Sequence, residues 1–430
     1  MPVFAAKGTR DFLPDPMRNR LSVIQTIRDV YALFGFGPLD TPAFERIDTL
    51  MGKYGDEGNQ LIFKIQERGS GAATGQVDMA LRYDLTVPLA RVVAMNPALP
   101  MPFKRYQIAP VWRADRPQKG RFCEFYQCDA DIVGDVSPTA DAECIMAACT
   151  VLEKLGLSDF VVHINHREIL RAIVSTVGAQ DRETEILVSI DKMDKIGLAG
   201  VTQELLSRGI NSETVTQLVS ILSEPHDLDR IEALVGTCQN LRVILSRLRG
   251  LGLTKIVFDA TIARGLSYYT GVIYEIRLAD GDIGSIAAGG RYDNLVGMFS
   301  GKQVPAVGIS LGLERILVIM EERGLFQSGK TEPSVLVTVF SDDTLQMSLK
   351  LATMLREQGV PTSLWLGASG GLGKQFKYAN QIGATFVLVC GPDEIAQDTV
   401  SVKTMCTGEQ STMPVSDVAC FVVQKPSSES

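Results

Sequence analysis

The spacing of apolar residues predicts one helix followed by a long region of strands. Residues 17–34 repeat apolar side chains at helical spacing and end at two glycines. From there to about residue 133 the period is mainly two, and we expect strands at 61–65, 79–83, 103–113 and 121–133. Thr86 is expected to cap a helix among them. Hairpin-joined strands run antiparallel, so this region predicts a large antiparallel sheet.

The pattern becomes mostly helical between about 160 and 255. Amphipathic stretches at 213–223 and 229–249 predict an inserted helical unit, which we place at about 165–252. Strands return at 255–259, 271–278 and 303–309, and the last of these runs into a helix at 311–322.

A Gly-, Ser- and Lys-containing segment, 323–333, then predicts a linker. Beyond it, strands at 335–340, 362–366 and 386–390 alternate with helices after Ser341 and near 374–382, which is typical of a small α/β domain. We therefore divide the chain into a large first domain at 1–325, a linker at 326–333 and a C-terminal domain at 334–430.

Composition indicates an ordinary globular protein of two or three domains. The 430 residues are 45 % hydrophobic and 21 % charged. The sequence contains no uninterrupted apolar run of about 18 residues, so it predicts no membrane span. The N-terminus does not resemble a signal peptide. The eight cysteines lack a Cys-x-x-Cys pair, so we expect reduced thiols in the cytoplasm and no zinc site. For His163 and His166, packing or helix capping is favoured over catalysis.

Charge is distributed unevenly along the chain. The net charge of −8 argues against a general nucleic-acid coat. Residues 101–124 nevertheless hold six basic side chains against two acidic ones, which indicates an anion site. Residues 331–430 hold six basic against ten acidic side chains, and Lys374 and Lys377 offer the one local basic patch that we identify there.

The strand at 121–133 carries the most informative residues. Alternation places on one face a guanidinium, an aromatic ring, an amide and carboxylates: Arg121, Cys123, Phe125, Gln127, Asp129 and Asp131. This face is either a ligand site or a solvated sheet surface held by salt bridges.

Three arginines stand beside turns or glycines at distant places in the chain. Arg113, Arg264 and Arg315 together favour a clamp on a polyphosphate, although a structural ion pair would explain any one of them. The glycine-rich segment 370–374 is not a phosphate loop, because the required positions hold Ala368 and Gln375.

Several motifs, in order over nearly the whole chain, resemble the histidyl-tRNA synthetases, a family of class II aminoacyl-tRNA synthetases. They are Lys7-Gly8-Thr9-Arg10-Asp11, Leu81-Arg82-Tyr83-Asp84-Leu85-Thr86, Arg113 to Arg121, Glu124-Phe125-Tyr126-Gln127-Cys128-Asp129, Arg264-Gly265-Leu266-Ser267-Tyr268-Tyr269 and Gly308 to Arg315. The tyrosine-pair motif is specific to histidine enzymes and their paralogues, whereas the arginine motifs are shared across class II.

The resemblance implies an α+β fold and a homodimer. The catalytic domain, 1–325, would contain a six- or seven-stranded antiparallel sheet flanked by helices, and the C-terminal α/β domain would bind the anticodon. The implied reaction is the activation of L-histidine by ATP to histidyl-adenylate with release of pyrophosphate, followed by transfer to the 3′ end of tRNA(His). Mg²⁺ would accompany ATP, without a metal that side chains clearly fix.

The resemblance also assigns residues to each substrate. For ATP, Arg113 would hold the α-phosphate with Arg264 facing it, Phe125 would stack on adenine, and Arg315 would hold the γ-phosphate with help from Arg121. For histidine, the implied residues are Asp84 and Thr86 at the α-amino group, Gln127 beside the substrate backbone, and Asp131, Tyr268 and Tyr269 at the imidazole. Gln118, in a hairpin of the bacterial type, would read the extra 5′ guanosine of tRNA(His).

The chain departs from the family pattern at four positions. Asp84 and Asp131 stand where many bacterial members have Glu, and both occur in the eukaryote-like branch. Ser267 replaces the usual Asp or Asn, and Asp115 replaces a Glu.

Two other readings stay open: the regulatory paralogue of ATP phosphoribosyltransferase, and a tRNA-binding protein without catalysis. The arginines at 113, 264 and 315 and the C-terminal domain favour the enzyme.

Overall fold

The computed structural model describes residues 3–67, 75–224, 226–263, 268–279, 283–326, 335–367 and 371–424. The chain divides into two compact units, Met1–Leu325 and Phe326–Ser430. Alternating or continuous runs of apolar residues form the strands of both units, and each unit buries its own aliphatic core.

The strands of the first unit are short at the sheet edges and long at its centre. In chain order they are β1 (Gly37–Pro38), β2 (Phe44–Arg46), β3 (Lys64–Gln66), β4 (Val77–Leu81), β5 (Phe103–Trp112), β6 (Glu124–Val133), β7 (Phe160–His166), β8 (Ile256–Phe258), β9 (Val272–Leu278), β10 (Ala287–Arg291) and β11 (Ala306–Gly312).

Eight of these strands, within the described part of the unit, form one sheet in the order β1-β5-β6-β11-β10-β9-β7-β8. The six central strands pair antiparallel, as the sequence predicts. The expected total of six or seven was too low, because the short edge strands β1 and β8 add to the sheet in parallel. A small sheet, β2-β4-β3, lies apart from it.

Helices of the first unit flank the sheet or form the insertion. They are α1 (Pro14–Leu33), α2 (Ile47–Leu50), α3 (Gly55–Gln60), α4 (Thr86–Met95), α5 (Pro138–Lys154), α6 (Arg167–Thr176), α7 (Glu183–Ile190), α8 (Met193–Ser207), α9 (Ser212–Leu222), α10 (Leu228–Val235), α11 (Gln239–Gly250), α12 (Gly297–Ser300) and α13 (Leu313–Glu322). Between β7 and β8 the chain is helical, and α6 to α11 make up the insertion.

One local prediction in this unit was wrong. Thr86 does not cap α4 but is its first residue, and the Asp84 carboxylate accepts the Val87 N–H at 3.0 Å instead. The amphipathic stretch at 229–249 folds as two helices, because Gly236 ends α10 with a positive φ of 94°.

The second unit has a mixed sheet in the order β13-β12-β14-β15-β16. Its strands are β12 (Val335–Val337), β13 (Thr362–Leu364), β14 (Phe386–Val389), β15 (Thr399–Thr404) and β16 (Gln410–Pro414); its helices are α14 (Leu345–Glu357), α15 (Leu372–Gln381), α16 (Pro392–Ala396) and α17 (Val418–Gln424). The first three strands pair in parallel, which fits the expected alternation of strands and helices. The antiparallel hairpin β15–β16 is an addition that the sequence pattern did not reveal.

Within the described ranges, no helix combines the length and the apolar character needed to cross a membrane.

Candidate active site

A cavity of about 320 Å³ opens on one face of the central strands β6, β10 and β11. Residues between the strands complete its wall: Asp84 and Thr86, the hairpin after β5, the tyrosine pair before β9, and Lys195 of the insertion. A volume of this size suits a small organic ligand.

Glycines keep the floor of this cavity open. A Cβ atom at Gly308 would lie 1.9 Å from Oδ1 of Asp131, and one at Gly289 would lie 2.1 Å from the Gly308 carbonyl oxygen. Neither distance is sterically possible, so a larger residue at either place would displace the neighbouring strand or Asp131. The backbones of β10 and β11 therefore approach closely at Gly289.

One end of the cavity is built around Asp84, which is buried. Its Oδ1 accepts the Tyr54 hydroxyl at 3.1 Å, and the Tyr268 hydroxyl lies 3.5 Å from its Oδ2. Burial raises the pKa of Asp84, while the Val87 N–H and Arg113 act in the opposite direction. Thr86 lines the cavity beside it, at the start of α4.

Two further buried carboxylates that line the cavity are on β6. Asp131 accepts a hydrogen bond from the Tyr292 hydroxyl, and its Oδ2 is 2.8 Å from Nη2 of Arg105. Oδ2 of Asp129 is 3.9 Å from the same nitrogen. Burial raises the pKa of both carboxyl groups, that of Asp129 to about 7, and Arg105 opposes the rise.

Gln127 lines the cavity on the same face of β6 as these carboxylates. Its Nε2 donates to Oγ of Ser310 at 2.9 Å, while its Oε1 is buried without a hydrogen-bond partner among the described residues. A buried, unpaired acceptor is costly, so this oxygen is available for a ligand donor. The rings of Tyr268 and Tyr269, with centroids 4.9 Å apart, form an adjacent wall.

The other end of the cavity carries guanidinium and aromatic groups. Arg113 donates through Nε to the Tyr83 carbonyl oxygen at 3.0 Å, and its guanidinium lies 4.2 Å from the Tyr83 ring centroid and 5.2 Å from that of Phe125. Among the described residues no carboxylate pairs with Arg113, which leaves its charge for an anionic ligand.

The hairpin after β5 brings a second arginine to this end. Arg121 pairs with Asp115 at 3.0 Å, and its backbone exchanges two hydrogen bonds with Gln118, an exposed residue outside the cavity wall. The bend at Gly120, with a φ of 69°, packs against the side chain of Arg315.

Arg315 is the third residue of α13 and donates through Nη1 to the Ser285 carbonyl oxygen. The preceding residue, Glu314, is buried and fully engaged. It is bound by Arg10, by two nitrogens of Arg20 at 2.7 and 2.9 Å, and by the Tyr126 N–H at 3.2 Å.

Ten of the residues singled out in the sequence line this one cavity: Asp84, Thr86, Arg113, Arg121, Phe125, Gln127, Asp131, Tyr268, Tyr269 and Arg315. Gln118 stands outside it. Arg264 and Ser267 lie outside the described residues, so the expected opposition of Arg113 and Arg264 is not described. The polar face of β6 is buried, which is not how a solvated sheet surface is built.

Sequence reasoning missed four contributors to the site: Arg105, Tyr292, Ser310 and Glu314. Arg105 was counted, with Lys104, in a basic anion-binding stretch; that interpretation was wrong for both, because Arg105 is fully buried against aspartates and Lys104 pairs with Glu143 at 2.6 Å. The available signal was the place of Arg105 in β5. It is the third residue of a strand in which every second residue is buried, and it falls on the buried face.

The histidines lie away from the cavity and have structural partners. His166 caps α6 by accepting the Glu168 N–H at 3.2 Å, as expected, and His163 pairs with Asp259 at 3.0 Å. Donor atoms of His166, Glu168 and Cys238 do lie within 4.8 Å of one another. The capping bond already occupies the His166 Nδ1, and burial raises the pKa of the Cys238 thiol to about 12, so the group is poorly suited to a metal.

A six-stranded antiparallel core, with arginines on a hairpin and at the start of the helix after β11, defines a class II aminoacyl-tRNA synthetase catalytic domain. A family model described as histidyl-tRNA synthetase matches residues 8–316, and one described as an anticodon-binding domain matches residues 334–425. The chain therefore belongs to the histidyl-tRNA synthetase family.

Individual relatives agree over nearly full length. The chain is similar to histidine–tRNA ligases of Cytophaga hutchinsonii, at 42 % identity covering 94 % of this chain and 96 % of the relative, and of Phocaeicola vulgatus, at 40 % covering 97 % and 98 %. A crystal structure of histidyl-tRNA synthetase from a Nostoc species matches with a TM-score of 0.79 and 31 % identity, over 98 % of this chain and 99 % of that one.

Proposed function

We propose that this chain is a histidine–tRNA ligase that activates L-histidine with ATP and transfers it to the 3′ end of tRNA(His). The observation that carries the proposal is the single cavity in which buried carboxylates and tyrosines at one end meet the guanidinium groups of Arg113, Arg121 and Arg315 at the other. Such a cavity holds an amino acid and a polyphosphate side by side, which adenylation requires.

The amino-acid end fits histidine. We assign the α-amino group to Asp84 and Thr86 and the substrate backbone to Gln127, whose Oε1 lacks another partner. Asp131, Tyr268 and Tyr269 would read the imidazole. A buried site that hydrogen-bonds the substrate ring discriminates strongly, because a wrong side chain leaves its polar groups unpaired.

At the phosphate end, Arg113 and Arg264 would stabilise charge at the α-phosphorus. The histidine carboxylate attacks that phosphorus, a pentavalent arrangement forms, and pyrophosphate leaves. Phe125 would stack on adenine, and Arg315 with Arg121 would hold the departing phosphates. Preorganised donors of this kind lower the barrier without transferring a proton, and losing one costs about 10²- to 10³-fold in rate.

We propose Mg²⁺ as the ion that accompanies ATP and neutralises phosphate charge. Carboxylates at the phosphate end are already paired, Glu314 with Arg10 and Arg20 and Asp115 with Arg121. The ligands of the ion would therefore be mainly phosphate oxygens and water, in keeping with the few carboxylates that Mg²⁺ requires at such sites.

For tRNA, we propose that the second unit binds the anticodon and that Gln118 reads the extra 5′ guanosine. The exposure of Gln118 on the hairpin beside the cavity supports this assignment. A Gln118→Ala protein should lose the preference for full-length over guanosine-lacking tRNA(His). An unchanged ratio of charging rates would contradict the assignment.

We further propose a homodimer in the cytoplasm. Six of the eight free cysteines are buried, which suits a reducing compartment. Light scattering at micromolar concentration should give twice the chain mass of 46.8 kDa.

The decisive test is ATP–pyrophosphate exchange with each of the twenty amino acids in the presence of Mg²⁺. Exchange with histidine alone is expected. If folded protein exchanges with no amino acid, the enzyme assignment is wrong and the regulatory paralogue of ATP phosphoribosyltransferase becomes the better reading.

A further inference from the structure

Arg105 lies beneath the candidate active site without forming part of its wall. It is fully buried on β5, and the antiparallel register places it directly opposite Asp131 on β6. Its Nη2 is 2.8 Å from Asp131, 3.9 Å from Asp129, and donates to the Leu85 carbonyl oxygen at 3.1 Å. Arg105 therefore touches the carboxylates that line the cavity rather than the space a ligand would occupy.

The charges around this arginine are unbalanced. Two buried aspartates share one guanidinium, so the group has a net charge of −1 when both are ionised. Most of the other groups that face it are neutral or acidic. They are Tyr292 and Ser310, which hydrogen-bond to Asp131 and Asp129, and Tyr31, Cys128, Cys144, Tyr274 and Asp84, which lie within electrostatic reach. Arg82 is a further cation whose charge reaches Asp129. Arg105 is the cation that lies within 4 Å of both aspartates and opposes the effect of burial on them.

The two remaining N–H-bearing nitrogens of Arg105 indicate that this residue does more than stabilise the fold. Nε and Nη1 are buried without a hydrogen-bond partner in the described part of the chain. Leaving such donors unpaired is unfavourable, so a residue chosen for stability alone would be expected to satisfy them. A neutral, branched residue would fill the same space at lower cost.

We propose that Arg105 is a positioning residue for amino-acid selection: it holds Asp131 ionised and turned towards the cavity, where the carboxylate accepts a hydrogen bond from the substrate imidazole. The inference rests on the proposed function, since it takes Asp131 as the imidazole-reading group. Without the arginine, two buried carboxylates would share or take up protons, and Asp131 would no longer offer a charged acceptor. Hydrogen bonds to charged groups are the stronger kind.

The test compares histidine-dependent ATP–pyrophosphate exchange in the parent protein and four variants across pH 5.5–9. Arg105→Met, of similar length and uncharged, should raise the KM for histidine about 10- to 100-fold, the loss expected for a hydrogen bond to a charged group. The KM for ATP should stay unchanged. The acid limb of kcat/KM for histidine should move to higher pH, because Asp131 then binds a proton more readily.

Arg105→Met combined with Asp129→Asn removes the guanidinium together with the neighbouring carboxyl group, whose negative charge is present above about pH 7. If Arg105 acts through the charge and orientation of Asp131, this double variant should recover a large part of the histidine KM and return the acid limb towards its original pH. If Arg105 only supports packing, the two substitutions should add their damage. Arg105→Lys, which keeps the charge, should fall between the parent and Arg105→Met. Lys104→Met, the neighbouring residue on β5, whose side chain pairs with Glu143 away from the cavity, is the matched control.

The outcomes separate this inference from the proposed function. A parent protein without histidine-dependent exchange contradicts the proposed function. A parent that exchanges, with an unchanged histidine KM and pH profile in folded Arg105→Met, overturns the role of Arg105. Should Arg105→Met fail to fold, the double variant decides: a folded double variant whose histidine KM stays 10- to 100-fold above that of the parent, with the acid limb still at higher pH, also overturns it.

Discussion

A missing side chain shapes the amino-acid end of the cavity at Gly308. Because a Cβ there would lie 1.9 Å from Asp131 Oδ1, Gly308→Ala should push the carboxylate off its position. We expect the KM for histidine to rise about 10- to 100-fold, the value of one hydrogen bond to a charged group. Exchange kinetics at varied histidine and ATP measure the change.

Gly373 provides the control for that substitution. It lies in α15, and a Cβ there would meet no atom within 4 Å. Gly373→Ala should leave histidine binding unchanged and stabilise the helix slightly. Equal histidine KM values in the parent and Gly308→Ala would contradict the prediction, because they would show that histidine binding does not depend on the position of the Asp131 carboxylate.

The raised pKa of Asp129 predicts how the stability of the folded protein depends on pH. Its rise to about 7, caused mainly by burial, means that between about pH 4 and pH 7 the folded protein keeps a proton that the unfolded chain has released. The unfolded state binds fewer protons in this window, so this group's contribution to stability falls as pH rises. Asp129→Asn, which stays neutral, should therefore gain in Tm relative to the parent by more at pH 8 than at pH 5.

Thermal unfolding at the two pH values measures this difference. The exposed Asp181→Asn, in the same unit, should show the same Tm difference from the parent at both. A pH-independent effect of Asp129→Asn would mean that Asp129 is ionised in the folded protein at pH 5.

At the scale of elements, α1 is tied to α13 by one buried ion-pair group. Arg20 of α1 makes two hydrogen bonds to Glu314, which is 4 % exposed, whereas Arg10 reaches the same carboxylate from the partly exposed N-terminal segment. Arg20→Met should lower the free energy of unfolding by about 3–5 kcal/mol, because it leaves a buried charge short of its partner. Arg10→Met should cost about 1 kcal/mol or less.

Urea unfolding tests that order. Arg18→Met is the control, since Arg18 pairs with Asp15 on the exposed side of the same helix. The argument fails if Arg10→Met proves as costly as Arg20→Met.

The sequence predicts elements well where periodicity and hairpins are local. The antiparallel order of β5 and β6 and the helical insertion followed from alternation and amphipathic spacing. The edge strands β1 and β8 did not, because two or three residues carry no period and pair only through distant partners. The hairpin β15–β16 was missed for a related reason: its second strand is almost entirely exposed and polar.

The residues of the candidate site show the same difference between local and long-range signals. Residue types in motifs indicated Arg113, Gln127 and Asp131, whereas the burial of Arg105 depends on a register between two strands. Gln375 illustrates the converse. It stands where a phosphate loop requires Ser or Thr, so its residue type excludes such a loop. Its buried side chain instead accepts a hydrogen bond from the Val339 N–H and donates one to the Val339 carbonyl oxygen.

For the whole molecule, an acidic protein must bind an acidic polymer. With a net charge of −8 overall and ten acidic against six basic side chains in residues 331–430, attraction to tRNA in the second unit must come from local groups. Lys374 and Lys377 stand exposed on α15, next to the half-exposed ring of Tyr378, which packs edge-on against Trp365. Exposed aromatic rings beside cations are suited to unpaired bases.

The double variant Lys374→Ala/Lys377→Ala should therefore raise the KM for tRNA about 10-fold and make it less dependent on salt, by up to two counterions. Histidine-dependent exchange, which needs no tRNA, should stay unchanged. Lys350→Ala/Arg356→Ala on α14 removes the same charge from another helix of the unit. If both double variants weaken tRNA binding equally, net charge rather than the α15 surface governs binding. If only the α15 double variant weakens tRNA binding, the acidic domain binds RNA through two lysines placed beside an aromatic ring.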